Sequence, residues 1–267
     1  MKHHRAVRAF AAAVIRVGLL ACLAVTCAAP AGAAEPVKAA RSQTIVVYGG
    51  SGNIGSRIVN EAVARGHKVT VVDRSPRAEL APKGVQLVTG DALNPEDILK
   101  NIAGADVVVS AVVVRPAPFP DFALKVVQSF VTVLRQQQGA KKTRFIDVGG
   151  ASSLYNADGK RIIDTFGARP GAGGGNGGMP TAMAGEVKSA VDALDYLRTV
   201  NDITWTFFSP AGSISPGTRT GKFRLGTDTI VTDASGRSAI SMEDYAVAML
   251  DEIEKPQFLN RRFTVGY

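Results

Sequence analysis

The sequence predicts an α/β protein built on one doubly wound parallel sheet, and three observations carry that prediction. Short runs of β-branched residues at 44–48, 68–72, 106–111 and 143–148 alternate with segments whose apolar residues recur at helical spacing. The first run breaks into the glycines Gly49, Gly50, Gly52 and Gly55 before a helical pattern, so strand, turn, helix and next strand fit one βαβ unit. Each strand-like run ends in small residues, and in such a sheet ligands collect beyond the carboxyl ends of the strands.

The elements follow in order. After the strand at 44–48, Ile54, Ile58, Val59, Ala62 and Val63 mark one helix face, and Arg65-Gly66-His67 leads into the strand at 68–72. A third strand at 85–89 runs into Gly90-Asp91-Ala92, which is placed for the adenine side of a dinucleotide and equally serves as N-cap for a helix at 95–102. The fourth strand, 106–111, ends in small residues; a helix at 126–137 leads to the fifth, 143–148, which stops at Gly149-Gly150-Ala151-Ser152-Ser153. Residues 167–185 are glycine-rich, either a mobile lid over a substrate or a disordered surface insertion. A helix at 185–200, a strand at 203–208, the turn Ser209-Pro210-Ala211-Gly212, a hairpin at 233–236, a helix at 242–253 capped by Ser241, and a strand at 262–265 complete the chain. The whole reads as one Rossmann-type domain over 44–267, with a small C-terminal subregion on the substrate side.

Glycines let the backbone turn sharply and bring its N–H groups against an anion, while the following helix points its positive end at the same anion. The turn at Gly49–Gly55 therefore reads as a site for a dinucleotide pyrophosphate. Asp73 stands where a carboxylate would meet ribose hydroxyls, but Arg74, Ser75 and Arg77 follow at once. A guanidinium there pairs with the 2′-phosphate of NADP(H), which favours NADP(H) over NAD(H); the alternative is that Arg74 and Arg77 are solvated loop charges.

Residues 1–34 combine Lys2, Arg5, Arg8 and Arg16 with no acid, an apolar run at 17–29 and the small residues Ala31-Gly32-Ala33-Ala34. That is the pattern of a signal peptide, followed by a short tail at 35–43, and it predicts a periplasmic or secreted protein with no stable membrane span. Lipoprotein anchoring at Cys22 is the minor alternative. Both cysteines, Cys22 and Cys27, and two of the three histidines lie in this leader, so a mature chain offers no thiol chemistry and no metal site. Losing the leader also halves the net charge of +8, too little and too scattered for a nucleic-acid footprint.

With these residues in view, the chain resembles the atypical short-chain dehydrogenase/reductase superfamily. Within it the chain is similar to the NADH-flavin reductase and NmrA-like NAD(P)-binding proteins and to flavin-reducing biliverdin reductases. The most specific likeness is in 202–211, in Pro216-Gly217-Thr218-Arg219-Thr220-Gly221-Lys222, in 240–246 and in 262–267. The resemblance implies that Ser51, Gly52, Asn53 and Ile54 hold the pyrophosphate, Arg74 the 2′-phosphate, and Asp91 and Ala92 the adenine. It also implies that Ala111, Val112, Gly149 and Gly150 line the nicotinamide ribose, with Pro210 and Ala211 at the carboxamide.

Two departures matter. The main branch of the superfamily uses a Tyr-x-x-x-Lys pair, whereas Tyr155 is followed by Gly159 at that spacing and only then by Lys160; and Gly150 stands where biliverdin-reducing relatives have serine. Ser152, Ser153, Tyr155 and Lys188 are candidates for orienting a substrate or donating a proton, or for structural duty alone, so the catalytic residues are unassigned. The expectation is an NAD(P)H-dependent reductase of a flavin, or of a similar planar acceptor such as a quinone, acting as monomer or homodimer. The alternatives are a non-catalytic NADP(H)-binding sensor of NmrA type and, disfavoured by the missing pair, a nucleotide-sugar epimerase or dehydratase.

Overall fold

The computed structural model describes residues 41–77, 82–113, 117–137, 142–165 and 181–267. The leader, the tail up to residue 40 and the glycine-rich stretch up to residue 180 lie outside the described residues.

The first half alternates strand and helix: β1 Thr44–Tyr48, α1 Asn53–Ala64, β2 Lys68–Asp73, β3 Gln86–Thr89, α2 Pro95–Asn101, β4 Val107–Ser110, α3 Phe122–Gln136 and β5 Arg144–Val148. A 3-10 turn at Ala151–Ser153 and a one-turn helix, α4 Ile162–Thr165, precede α5 Thr181–Leu197 and β6 Trp205–Ser209. The last part holds β7 Ser213–Ser215, β8 Arg224–Gly226, β9 Ala239–Ser241, α6 Met242–Glu254 and β10 Arg261–Gly266.

The main sheet runs β3-β2-β1-β4-β5-β6-β10-β8. All neighbours pair in parallel except β8, which is antiparallel to β10. Strand order reverses between β1 and β4, the switch point where doubly wound sheets open a crevice. Alternate residues of each strand serve opposite faces. Ile45, Val47, Ile146, Val148 and Phe208 pack under α1 and α6; Val46, Val108, Phe145, Trp205 and Phe207 pack under α2, α3 and α5. Both faces are covered, so the strands read as continuous apolar runs.

Several boundaries differ from the sequence expectation, each for a local reason. α3 begins at Phe122, a turn earlier than 126, because Phe122 joins Val126, Phe130 and Val133 on the buried face. α5 begins at Thr181, so 181–185 is helix rather than loop; Gly185 lies in it where a Cβ would come within 3.3 Å of Pro120. The N-cap of α2 is Asn94, whose side chain accepts from the Glu96 and Asp97 N–H groups, and not Asp91. Ser241 does cap α6, accepting from Asp244 N. At 233–236 there is a turn but no hairpin. The Asp233 carboxylate gathers Ser235 N, Ser235 Oγ and Arg237 N, closing the turn locally, while β8 pairs with β10 and β9 with β7.

Candidate functional site

β1 delivers the chain to the switch point, and Gly49 turns it there. Gly49 has φ +76°, and a Cβ on it would stand 2.5 Å from Ala111 O at the end of β4, so only glycine fits. Its N–H donates to Val72 O at 3.0 Å, and Gly52 N donates to Gly49 O at 3.0 Å, closing the turn. Gly55 in the first turn of α1 brings helix and strand together: a Cβ there would lie 2.1 Å from Gly49 O. Gly52 occupies the N-cap of α1 without a side-chain hydrogen bond, and the first turn carries no acidic residue. The helix therefore presents uncapped N–H groups and the positive end of its dipole beside a turn whose single side chain, that of Ser51, is turned to Asp73. These features fit a phosphate anion.

The end of β2 completes the turn. Asp73 Oδ2 accepts from Ser51 N at 3.0 Å and from Ser51 Oγ at 2.7 Å, and Arg77 donates to Ser51 O at 3.1 Å. Ser51, expected to hold pyrophosphate, thus spends both its N–H and its hydroxyl on Asp73. Arg74 is exposed, lines the cleft and makes no hydrogen bond or ion pair to another described residue. At the end of β3, Asp91 N donates to Asp97 Oδ2 at 3.0 Å and Asp91 Oδ1 accepts from Leu93 N at 2.9 Å, so this turn is built before any ligand arrives.

A cleft of about 650 Å³ opens over these turns. It brings together the expected residues Gly49, Ser51, Gly52, Arg74, Asp91, Ala92, Ala111 and Val112, with Tyr48, Pro118, Phe119 and Phe122 as an apolar wall. That volume suits a bound small molecule. Asn53 and Ile54 stand beside it in the first turn of α1. Gly149 and Gly150 follow β5, and the buried Pro210 and Ala211 follow β6; none of these four lines that cleft, although all share its end of the sheet. Burial pushes the Tyr48 hydroxyl up to about 12, and it donates to Asp97 O at 3.3 Å, so Tyr48 serves as wall rather than as acid.

The candidates for proton chemistry are engaged elsewhere. Tyr155 is bridged to Arg161 and Thr229, and hydrogen bonding to Arg161 holds its hydroxyl below the usual range. Lys188 is exposed and pairs with Asp192 at 2.6 Å. Ser153 Oγ accepts from Arg262 at 3.1 Å and donates to Gly150 O at 3.3 Å. Ser152 alone of these has a hydroxyl free of partners among the described residues. Sequence reasoning passed over Asp147, a buried acid in β5 with a carboxyl pushed up to about 7 by burial, partly offset by a hydrogen bond to Ser110. Its signal was legible: one carboxylate inside the otherwise apolar run Phe145-Ile146-Asp147-Val148.

A model of the NAD(P)H-binding family matches residues 49–256. A curated relative, the uncharacterized protein YwnB of Bacillus subtilis, is 33% identical over 231 residues, covering 83% of this chain and 97% of its own length. Among solved structures, a proposed epimerase from Bacteroides thetaiotaomicron superposes with TM-score 0.72 at 36% identity, covering 85% of this chain and 98% of its own. A protein from Burkholderia pseudomallei described as a proposed exported protein gives 0.70 at 38% identity, covering 84% and 100%. A proposed NADH-flavin reductase from Streptococcus pneumoniae gives 0.69 at 32% identity, covering 84% and 99%.

Proposed function

The chain belongs to the NAD(P)H-binding family, and from that premise we propose that it is a reductase that passes hydride from NADPH to a flavin or a similar planar acceptor such as a quinone. The observation that carries this reading is the pairing of a well-formed anion turn with the absence of a tyrosine-lysine pair among the described residues that line the cleft. Tyr155 and Lys188 are both held by charged partners. The likeness to a proposed NADH-flavin reductase supports the same reading.

The glycine turn and the N-terminus of α1, with Asn53 and Ile54, receive the pyrophosphate. Arg74, free of other partners among the described residues, meets the 2′-phosphate and so favours NADP(H) over NAD(H). Asp91 and Ala92 border the adenine. Ala111, Val112, Gly149 and Gly150 lie along the nicotinamide ribose, and Pro210 and Ala211 at the carboxamide. When bound, NADPH supplies the hydride. The chain's own contribution is then to fix the two flat rings face to face and keep water away, the work of orientation rather than of a protein acid. Proton donation by the tyrosine of a Tyr-x-x-x-Lys pair, on which an epimerase or carbonyl reductase of the wider superfamily relies, is not available at Tyr155, which Gly159 follows at that spacing.

The same missing pair also suits a second reading, an NADP(H)-binding sensor that turns nothing over. Rapid-mixing oxidation of NADPH with riboflavin, FMN and a soluble quinone separates the two. Acceleration by any of these acceptors supports the reductase. Tight dinucleotide binding with no acceleration by any of them overturns it in favour of the sensor.

The leader at 1–34 directs export, and the domain at 44–267 acts outside the cytoplasm on a small-molecule acceptor as monomer or homodimer. The 38% identity to a proposed exported protein supports this. The N-terminal residue of protein recovered from the periplasm or medium tests the leader, and an N-terminus still at Met1 counts against it. Among the described residues no helix is long and apolar enough to cross a membrane.

A further inference from the structure

Four acids are buried among the described residues: Glu61, Asp147, Asp244 and Glu252. Three are neutralised or well solvated by the protein. Glu61 meets Arg65 and Arg219, Glu252 meets Arg144, and Asp244 accepts from Thr220 N, Thr220 Oγ1, Gly221 N and Tyr267 Oη. Asp147 has only the Ser110 hydroxyl and no cation among the described residues. An acid so placed is a cost to the fold unless it serves a ligand.

Its position says which ligand. The strand registers put Tyr48, Ser110, Asp147, Phe207 and Arg262 in one row across β1, β4, β5, β6 and β10, near the carboxyl ends of β1, β4 and β5; Tyr48 lines the cleft, and the Arg262 guanidinium is held by Asp228 and Ser153. Asp147 stands two residues before Gly149, and the Phe207 ring beside it reaches under that glycine. β5 is two strands from the glycine turn on β1, about 10 Å at the usual strand spacing, and on the side away from β2 and β3. A dinucleotide whose pyrophosphate meets the turn and whose adenosine lies over β2 and β3 therefore brings its nicotinamide over β4 to β6. That ring is a cation when oxidised and neutral when reduced.

We infer that Asp147 distinguishes the two redox forms of the dinucleotide, giving up its proton to solvent when the oxidised, cationic ring lies over the Gly149–Gly150 turn and keeping it when the reduced ring lies there. The inference rests on the cofactor placement proposed above. A cation brought close favours the ionised carboxyl, whereas a neutral ring leaves burial in control. With a carboxyl pushed up to about 7, the switch falls between about pH 6 and pH 8.

The surrounding groups do not titrate in its place. Tyr48 on β1 is pushed up to about 12, and Tyr245 on α6, whose hydroxyl donates to Phe208 O, is raised further by burial. α3 turns Phe122, Val126 and Phe130 inward, with Asp121, Lys125 and Arg135 exposed. On α5, Glu186 Oε1 accepts from Ala117 N, Lys188 pairs with Asp192, and Asp195 pairs with Arg161 and Arg198. His67 lies at the opposite end of the sheet, before β2, against Glu254.

The test is to titrate the full chain with NADP⁺ and NADPH, and in parallel NAD⁺ and NADH, at pH 6, 7 and 8. The dinucleotide's own phosphates are common to both forms and cancel in the affinity ratio. The preference for the oxidised form is expected to rise about tenfold from pH 6 to pH 8, the span of one carboxyl titrating near 7. Calorimetry in two buffers of different ionisation enthalpy is expected to show proton release on binding NADP⁺ at pH 6 and little on binding NADPH. Asp147→Asn, which keeps a hydrogen-bonding partner for Ser110, should flatten the ratio. A flat ratio in the native chain, or a pH dependence that survives in Asp147→Asn, overturns the inference while leaving the cofactor site standing. Failure of every dinucleotide to bind overturns both.

Discussion

At the amino ends of the strands Arg144, Arg65 and His67 all find partners, while at the carboxyl ends the glycine turn, Arg74 and Asp147 are left waiting. Arg144 opens β5 inside the core, where it pairs with Glu252 and donates to Glu252 O and Thr206 Oγ1. Arg65 holds Glu61, Asp251 and Glu254, and His67 adds a second bond to Glu254. At the other end stand an uncapped helix N-terminus, Arg74 without a protein partner among the described residues and Asp147 without a cation. The same sheet thus spends polar groups on stability at one end and withholds satisfaction at the other, which is how a rigid frame keeps a site ready for a charged ligand.

The comparison can be broken first at Arg144. Replacing it with methionine leaves Glu252 buried with only the Gln257 and Phe258 N–H groups. Loss of one partner of a buried pair is expected to cost about 3–5 kcal/mol of unfolding free energy in urea. A loss below about 1 kcal/mol would show that this end is not held by its charges.

Asp147 should behave in the opposite sense. Its folded-state pKa of about 7 lies above the ordinary 3.8, so the folded chain keeps a proton that the unfolded chain loses. The stability linked to that proton is fully present below about pH 4 and is lost as pH climbs through 7. Relative to Asp147→Asn, the native chain is expected to lose about 3–4 kcal/mol between pH 4 and pH 8, leaving the variant the more stable at pH 8. Parallel stability curves for the two proteins would refute this.

Two smaller effects sharpen the contrast at the ligand end. Gly55→Ala drives a methyl group to 2.1 Å from Gly49 O, and the shift it forces is expected to cost about 1–3 kcal/mol. It should also abolish the rise in melting temperature on adding NADPH, since the anion turn itself is displaced. Arg74→Ala should leave stability alone and weaken NADPH about tenfold or more, the worth of a charged hydrogen bond, with NADH affinity unchanged. Equal losses for both dinucleotides would assign Arg74 to general steering instead.

Much of the frame was readable in advance because the signals are local. Strand, turn and helix from Thr44 to Asp73, the third, fourth and fifth strands, and the Ser241 cap each follow from a pattern a few residues long. The three short strands β7, β8 and β9 were not, since three residues carry too little periodicity and their existence depends on partners elsewhere: β8 on β10, β7 on β9. The turn at 233–236 shows the converse, a correct local reading with a wrong conclusion about what its flanks pair with.

The candidate site divides along the same line. The sequence by itself determined the glycine turn, Arg74 beside it and the small residues at each strand end, because backbone freedom and charge belong to individual residues. Only the tertiary structure decided that Ser51 is spent on Asp73 and that Asp147 is a buried acid with the Ser110 hydroxyl for company. Those are properties of neighbours brought together from distant parts of the chain, and both the protonation of a carboxyl and the availability of a hydroxyl are set by that company rather than by the residue itself.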